Sequence, residues 1–110
     1  MDKLNAIEAL HALAQNTRLD VFRLLVKRGA EGMAAGDIAV ALDVRQNTMS
    51  ANLAVLARAG IVRSEREGRV IRYFADFDGM RGLLTFLMED CCGGKPELCK
   101  PVLDEIVCAC

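Results

Sequence analysis

Apolar residues recur at helical spacing from residue 3 to residue 59, give way to two short β-type runs between 61 and 74, and return to helical spacing over 79–91. A period of 3.6 and a period of 2 call for different elements. The chain is therefore expected to be mainly α-helical with one β-hairpin. A first helix is predicted over 3–14, with Leu4, Ile7, Leu10 or His11, and Ala14 on one stripe and Ala6, Ala9 and Ala12 raising helix propensity. A second runs from an Asn16 or Thr17 cap to about Lys27, with Leu19, Phe22, Leu25 and Val26 buried and Gly29 as its stop. Gly32 and Gly36 bracket a loop. Asp37 opens a short helix with Ile38, Ala41 and Leu42 inward, and residues 43–45 form a turn. A helix over 46–59 buries Met49, Leu53 and Leu56 and stops at Ala59-Gly60. Runs at 61–66 and 70–74 joined by Glu67-Gly68-Arg69 have a hairpin signature. The helix over 79–91 carries Met80, Leu83, Leu84, Leu87 and Met88 and breaks at Gly93-Gly94. Pro96 and Pro101 mark a new start, and Val102, Leu103, Ile106 and Val107 suit a short final helix.

At 110 residues and 53% hydrophobic, this is one domain with an ample core, which excludes a disordered chain. No apolar run approaches the roughly 18–20 residues of a membrane helix. The start, Met1-Asp2-Lys3-Leu4, lacks the features of a signal peptide. The expectation is a cytoplasmic protein with no membrane association. The net charge of −1 conceals an asymmetry: residues 44–75 carry six arginines against two glutamates, and residues 76–110 carry three cations against seven acids. Phosphate contact is made by local patches rather than by totals.

The order helix, short helix, tight turn, helix, basic hairpin is that of a winged helix-turn-helix, and the helix over 46–59 is the one expected to enter a major groove. Its first turn and exposed face offer Gln46, Asn47, Thr48, Ser50 and Asn52, short polar side chains that read base edges or bind phosphate. The hairpin offers Arg63, Arg66, Arg69 and Arg72 for the backbone or the minor groove. The arginines alone would equally suit a solvated sheet face. The polar helix and the basic hairpin in sequence point to double-stranded DNA.

These segments resemble the ArsR/SmtB-type regulators. Residues 14–25, with Ala14, Arg18 and Leu19 leading an apolar helix, look like the family's opening. Gly36, Asp37, Ile38, Ala39 and Leu42 resemble the first helix of its helix-turn-helix, and residues 46–62 resemble its recognition helix and following strand. Arg66, Glu67, Gly68, Arg69 and Tyr73 are similar to its wing. The likeness covers about residues 8–88. The family often has Ser-His-His-Leu where this chain has Ser50-Ala51-Asn52-Leu53. The resemblance implies a homodimeric repressor of a palindromic operator, its first and last helices forming the dimer interface. The residues agree, since Leu4, Ile7, Leu84, Leu87 and Met88 supply more apolar face than one small core requires. The expected division is a DNA-binding and dimerisation domain over 1–92 and a Cys-rich tail over 93–110 that completes an inducer site.

All five cysteines, Cys91, Cys92, Cys99, Cys108 and Cys110, fall in the last twenty residues. A disulfide-stapled fold would spread them through the chain, so the cluster points to soft-metal or metalloid binding or to redox sensing. The helix over 37–42 carries no cysteine and His11 is the one histidine, so two inducer sites known in the family cannot be built here. Cys91, Cys92 and Cys99 remain. Three thiolates in a pyramid suit As(III) or Sb(III), whereas zinc wants four ligands. The set resembles repressors of this family whose arsenite site is a C-terminal Cys-Cys pair with a nearby third Cys. Cys108 and Cys110 could replace Cys99, add a fourth ligand for Cd(II) or Zn(II), capture inducer from glutathione, or be tail thiols.

The expected function is a repressor that binds its operator in the apo state and is released by As(III) or Sb(III), with no organic cofactor. The alternatives are a thiol-redox repressor of the same fold and a metalloid-buffering protein that binds no DNA. There is no Ser/His/Asp set, phosphate loop or His-assisted Cys, so an enzyme is not expected.

Overall fold

The computed structural model describes residues 1–89 and 96–106. Helix α1 (Lys3–Leu13) is capped by Asp2, whose carboxylate accepts from the Asn5 N–H at 2.8 Å. Its buried stripe is Ala6, Ala9 and Ala12, and Leu4, Ile7 and Leu10 face out of the protomer. Helix α2 (Asn16–Arg28) is capped by Gln15, not by Asn16 or Thr17: the Gln15 side chain accepts from the Arg18 N–H at 2.8 Å. It buries Val21, Phe22 and Leu25 and leaves Leu19 and Val26 exposed, against expectation. At about 100° per residue, Leu19 and Val26 stand roughly a quarter-turn or more from the centre of the buried face. The core lies on the Val21 side, where both α1 and α4 (Gln46–Arg58) pack.

Gly29 ends α2 at φ +59°, and a 3₁₀ turn (Gly29–Glu31) leads to a strand absent from the sequence reading, β1 (Met33–Ala34). Two residues are too few to show a period, and only pairing with β3 (Val70–Ala75) creates this strand. Helix α3 (Ala35–Ala41) begins two residues earlier than predicted and takes in Gly36. It buries Ile38 and Ala39 and leaves Ala41 exposed. The turn into α4 is set by Asp43 at φ +53°, a left-handed conformation that Asp tolerates better than most side chains. In that turn the Val44 N–H bonds the Ala39 carbonyl at 2.9 Å. Helix α4 buries Met49, Leu53 and Leu56 as expected, and Asn52 as well.

Strand β2 (Val62–Glu67) pairs with β3 from Val62↔Ala75 to Glu67↔Val70, giving an antiparallel sheet of order β1-β3-β2. The hairpin loop is Gly68-Arg69. Gly68, at φ +65°, takes the first central position, where a type II′ turn needs glycine. Val21, Leu25, Ile38, Met49, Leu53, Leu56 and Ile61 are fully buried, so α2, α3, α4 and the start of the wing share one core.

Helix α5 (Phe77–Leu87) is pinned at its start. The Asp76 N–H bonds the Ile61 carbonyl at 2.9 Å, the Asp76 carboxylate accepts from the Gly79 N–H at 3.0 Å, and Gly79 packs against the Gly60 carbonyl with no space for a side chain. The predicted range of 79–91 shifts accordingly: α5 starts at Phe77 and ends at Leu87, with Met88 as its C-cap. Glu89 follows directly, and an acid is unfavourable beside the negative end of a helix dipole. Helix α6 (Pro96–Ile106) starts at Pro96, but Pro101 lies inside it rather than marking a start. Leu98, Val102 and Ile106 lie exposed along α6. No helix among the described residues is long and apolar enough to cross a membrane.

Candidate nucleic-acid interface

The first turns of α4 leave the core through the turn at Asp43, so their polar side chains stand outside it. Gln46, Asn47, Thr48 and Ser50 are exposed. The Asn47 side chain accepts from the Thr48 N–H at 2.9 Å, which fixes its carbonyl end. Asn52, expected on the same face, is 8% exposed and turns inward, where its Oδ1 accepts from the Arg18 guanidinium at 3.3 Å. Asn52 lies three residues after Met49 and four before Leu56, so it shares their buried side of the helix. It leaves the group of outward-facing residues.

The wing arginines divide between two faces, as period-2 alternation requires. Val62 and Ala75, the buried ends of the hairpin, define the face turned to the helices. Ser64, Tyr73, Arg66 and Ile71 share it through the pairs Ser64↔Tyr73 and Arg66↔Ile71. Arg63, Glu65, Arg72 and Phe74 share the opposite face through the pairs Arg63↔Phe74 and Glu65↔Arg72. Arg63 is engaged there: its guanidinium lies 4.3 Å from the Phe74 ring centroid and 2.9 Å from Glu65 Oε1. Arg72 reaches Glu67 Oε1 and the Glu31 carbonyl, each at 3.1 Å, and so ties the wing to the 3₁₀ turn. Arg66 Nε bonds the Gly68 carbonyl at 3.1 Å within the hairpin loop, and Arg69 sits at the tip.

Between wing and helix lies a cleft of about 520 Å³, lined by Gly36, Gln46, Ser50, Arg69, Ile71 and Tyr73 among others. The structure thus brings together Gln46, Ser50 and Arg69, with Arg66 on the helix-facing side of the hairpin. It sets Arg63 and Arg72 apart on the other face. Tyr73 and Ile71 belong to this surface and were not singled out as site residues. The odd separation of Arg63 from Arg66 carried that information, since an odd step along a strand changes face. Arg45, exposed at the N-cap of α4, adds a further cation beside Gln46.

Of the thiol site, Cys91, Cys92, Cys108 and Cys110 lie outside the described residues, and Cys99 falls within α6. Among the described residues no three His, Cys, Asp or Glu side chains converge as a metal site.

The comparisons with known proteins fit this geometry. A helix-turn-helix domain family model matches residues 13–65. A fragment of a possible transcriptional regulatory protein from Mycobacterium bovis is 31% identical in its crystal structure (76% of this chain, 88% of that one, TM-score 0.61). Its solution structure is described as a homodimeric winged helix-turn-helix DNA-binding domain of a possible ArsR-family regulator (29% identity, 78% and 80% covered, TM-score 0.63). HlyU from Vibrio cholerae is 27% identical (79% and 97%, TM-score 0.62). A possible transcriptional regulator for arsenical resistance is 25% identical (88% and 95%, TM-score 0.65). No curated protein is significantly similar in sequence.

Proposed function

This chain belongs to the ArsR family of winged helix-turn-helix transcriptional regulators, and from that premise we propose that it is a homodimeric repressor, bound to its operator in the apo state and released by As(III) or Sb(III). The observation that carries the DNA half is the shared surface of Gln46, Ser50 and Arg69 across the cleft between α4 and the wing. Base edges are read from the first turns of α4, and the hairpin tip follows the phosphates.

Homodimer formation is supported by the apolar face that α1 and α5 leave unpartnered, and by the homodimeric M. bovis domain. Two-fold symmetry then calls for a palindromic operator. The inducer half rests on the chemistry of Cys91, Cys92 and Cys99, three soft thiolates for an ion that takes three sulfurs in a pyramid. The structural neighbour described as a possible regulator for arsenical resistance supports it. Inducer and DNA then oppose each other through one coupling free energy, typically about 1–3 kcal/mol, and each weakens the other by the same factor.

A gel shift of the apo protein, titrated with arsenite, antimonite, cadmium, zinc and peroxide, tests the whole reading. Release by the two trivalent ions at the lowest concentrations is expected. Release by peroxide alone would establish the thiol-redox repressor instead, with a disulfide between cysteines distant in sequence, since adjacent cysteines bridge poorly. No salt-dependent DNA binding at all would leave a metalloid-buffering protein.

The division of the wing makes a separate prediction. Arg69→Ala and Arg66→Ala weaken operator binding, and each flattens the log–log salt slope by about 0.9. Arg63→Ala leaves the slope unchanged, because that side chain is held on the far face by Glu65 and Phe74. Fluorescence anisotropy across a salt series checks this, and equal slopes for all three variants would remove the hairpin from the DNA contact.

A further inference from the structure

Among the described residues one polar side chain is buried, Asn52, and it lies on α4. Its partner is Arg18, at the start of α2, whose planar guanidinium makes two hydrogen bonds to different elements. Nε donates to the Ala12 carbonyl near the C-terminus of α1 at 2.6 Å, and NH1 donates to Asn52 Oδ1 at 3.3 Å. One half-buried side chain therefore spans the helix that carries Leu4 and Ile7 and the helix that carries Gln46 and Ser50. It lines a cleft of about 330 Å³ with Glu8, His11, Val55 and Arg58.

The packing of α1 explains why such a tie is needed. Its fully buried positions are all alanine, at 6, 9 and 12, and the one larger apolar side chain it packs against the core, Leu13, is half-buried at its very end. Alanine allows close approach but has no bulk to interlock, so apolar packing resists sliding or rotation of α1 only weakly. A directional contact must supply the missing register. A charge-assisted side chain bonded to both helices does so, because moving α1 relative to α4 would break either its bond to the Ala12 carbonyl or its bond to Asn52.

We infer that Arg18 is a positioning residue that locks the pose of α4 to α1, and through α1 to the dimer face, so that paired recognition helices keep the spacing a palindrome demands. The inference rests on the repressor reading above. Lysine cannot replace Arg18, since a single ammonium lacks the rigid fork that meets two acceptors in different directions.

The test uses the full-length dimer, the tightest duplex that the wild-type protein selects from a random pool, and a scrambled duplex. Arg18→Lys and Asn52→Leu should each lower the ratio of selected to scrambled affinity about tenfold to a hundredfold, the range of a charge-assisted hydrogen bond. Scrambled-duplex binding should stay as in wild type. The double variant should be no worse than Arg18→Lys alone, because the one contact that Asn52→Leu removes is already lost in that variant. Asn52→Asp keeps an acceptor for Arg18 and should retain the selectivity. If Arg18→Lys does not fold, Asn52→Leu against Asn52→Asp still decides, the first conserving the branched shape and the second the acceptor.

Wild-type selectivity in Asn52→Leu would overturn the inference. So would parallel loss on both duplexes with a lowered Tm, which marks general destabilisation. Failure of the repressor reading is distinguishable, because then the wild-type protein selects no duplex. Amide NMR spectra of the free dimer still test the tie in that case: Arg18→Lys should shift resonances of both α1 and α4 and spare the hairpin tip, and shifts confined to α2 would count against it.

Discussion

Cys91→Ser and Cys92→Ser are each expected to yield a repressor that binds its operator as tightly as wild type and is not released by arsenite. Serine keeps the size of the side chain but offers no soft thiolate, and two sulfurs hold a trivalent ion far less well than three. The arsenite concentration for half-release should rise by more than about 100-fold, the upper range for losing even an outer-shell partner of a metal site. Cys99→Ser should behave alike if it supplies the third sulfur, whereas Cys108→Ser with Cys110→Ser should leave induction largely intact. Gel shifts with and without arsenite read all of these. Induction unaffected in both Cys91→Ser and Cys92→Ser would remove the sensor from this part of the chain. Loss only in the double tail variant would place the third ligand at Cys108 or Cys110.

Charge on the α1–α5 face should have a comparably large effect on DNA binding. Leu4 is 77% exposed, Ile7 52%, Leu84 42% and Leu87 49%, an apolar surface too extensive for a lone protomer. It is continuous across the two helices, which pack together, with Met1 reaching the position of Gly82. Ile7→Asp combined with Leu87→Asp would bury up to four carboxylates in a two-fold interface with no partner for any of them. The dimer should dissociate, and operator affinity should fall by about two to four orders of magnitude, the usual advantage of two linked half-site contacts over one. Light scattering coupled to size exclusion, with anisotropy on the same samples, measures both. A dimer that survives the two charges would put the interface elsewhere, with the exposed Leu19 and Val26 of α2 as the next surface to charge.

Element order, the hairpin and its turn, and the polar start of α4 were legible in the residues alone. Those features are local. A 3.6-residue period, a left-handed glycine and the switch to β-branched runs are each decided within a few residues of the chain. Proposing α4 as the DNA-facing helix needed only the order of the elements and the position of the basic block. The cysteine cluster was equally plain, since its placement is a matter of composition.

What required the tertiary structure was the choice among faces, which depends on partners distant in sequence. Leu19 and Val26 fit the α2 stripe as well as Val21 did, and only α1 and α4 packing on the Val21 side settled which was buried. Met33 and Ala34 are a strand because β3 lies beside them. Four wing arginines looked equivalent until the register put Arg63 with Phe74 and Arg66 with Ile71 on opposite faces. Asn52 looked like a base-reading residue because it is short and polar, and it is an internal tie because Arg18, thirty-four positions earlier, reaches it. A local pattern specifies what an element is. Which side of it is buried is decided by the long-range contacts that desolvate one face and leave the other in water.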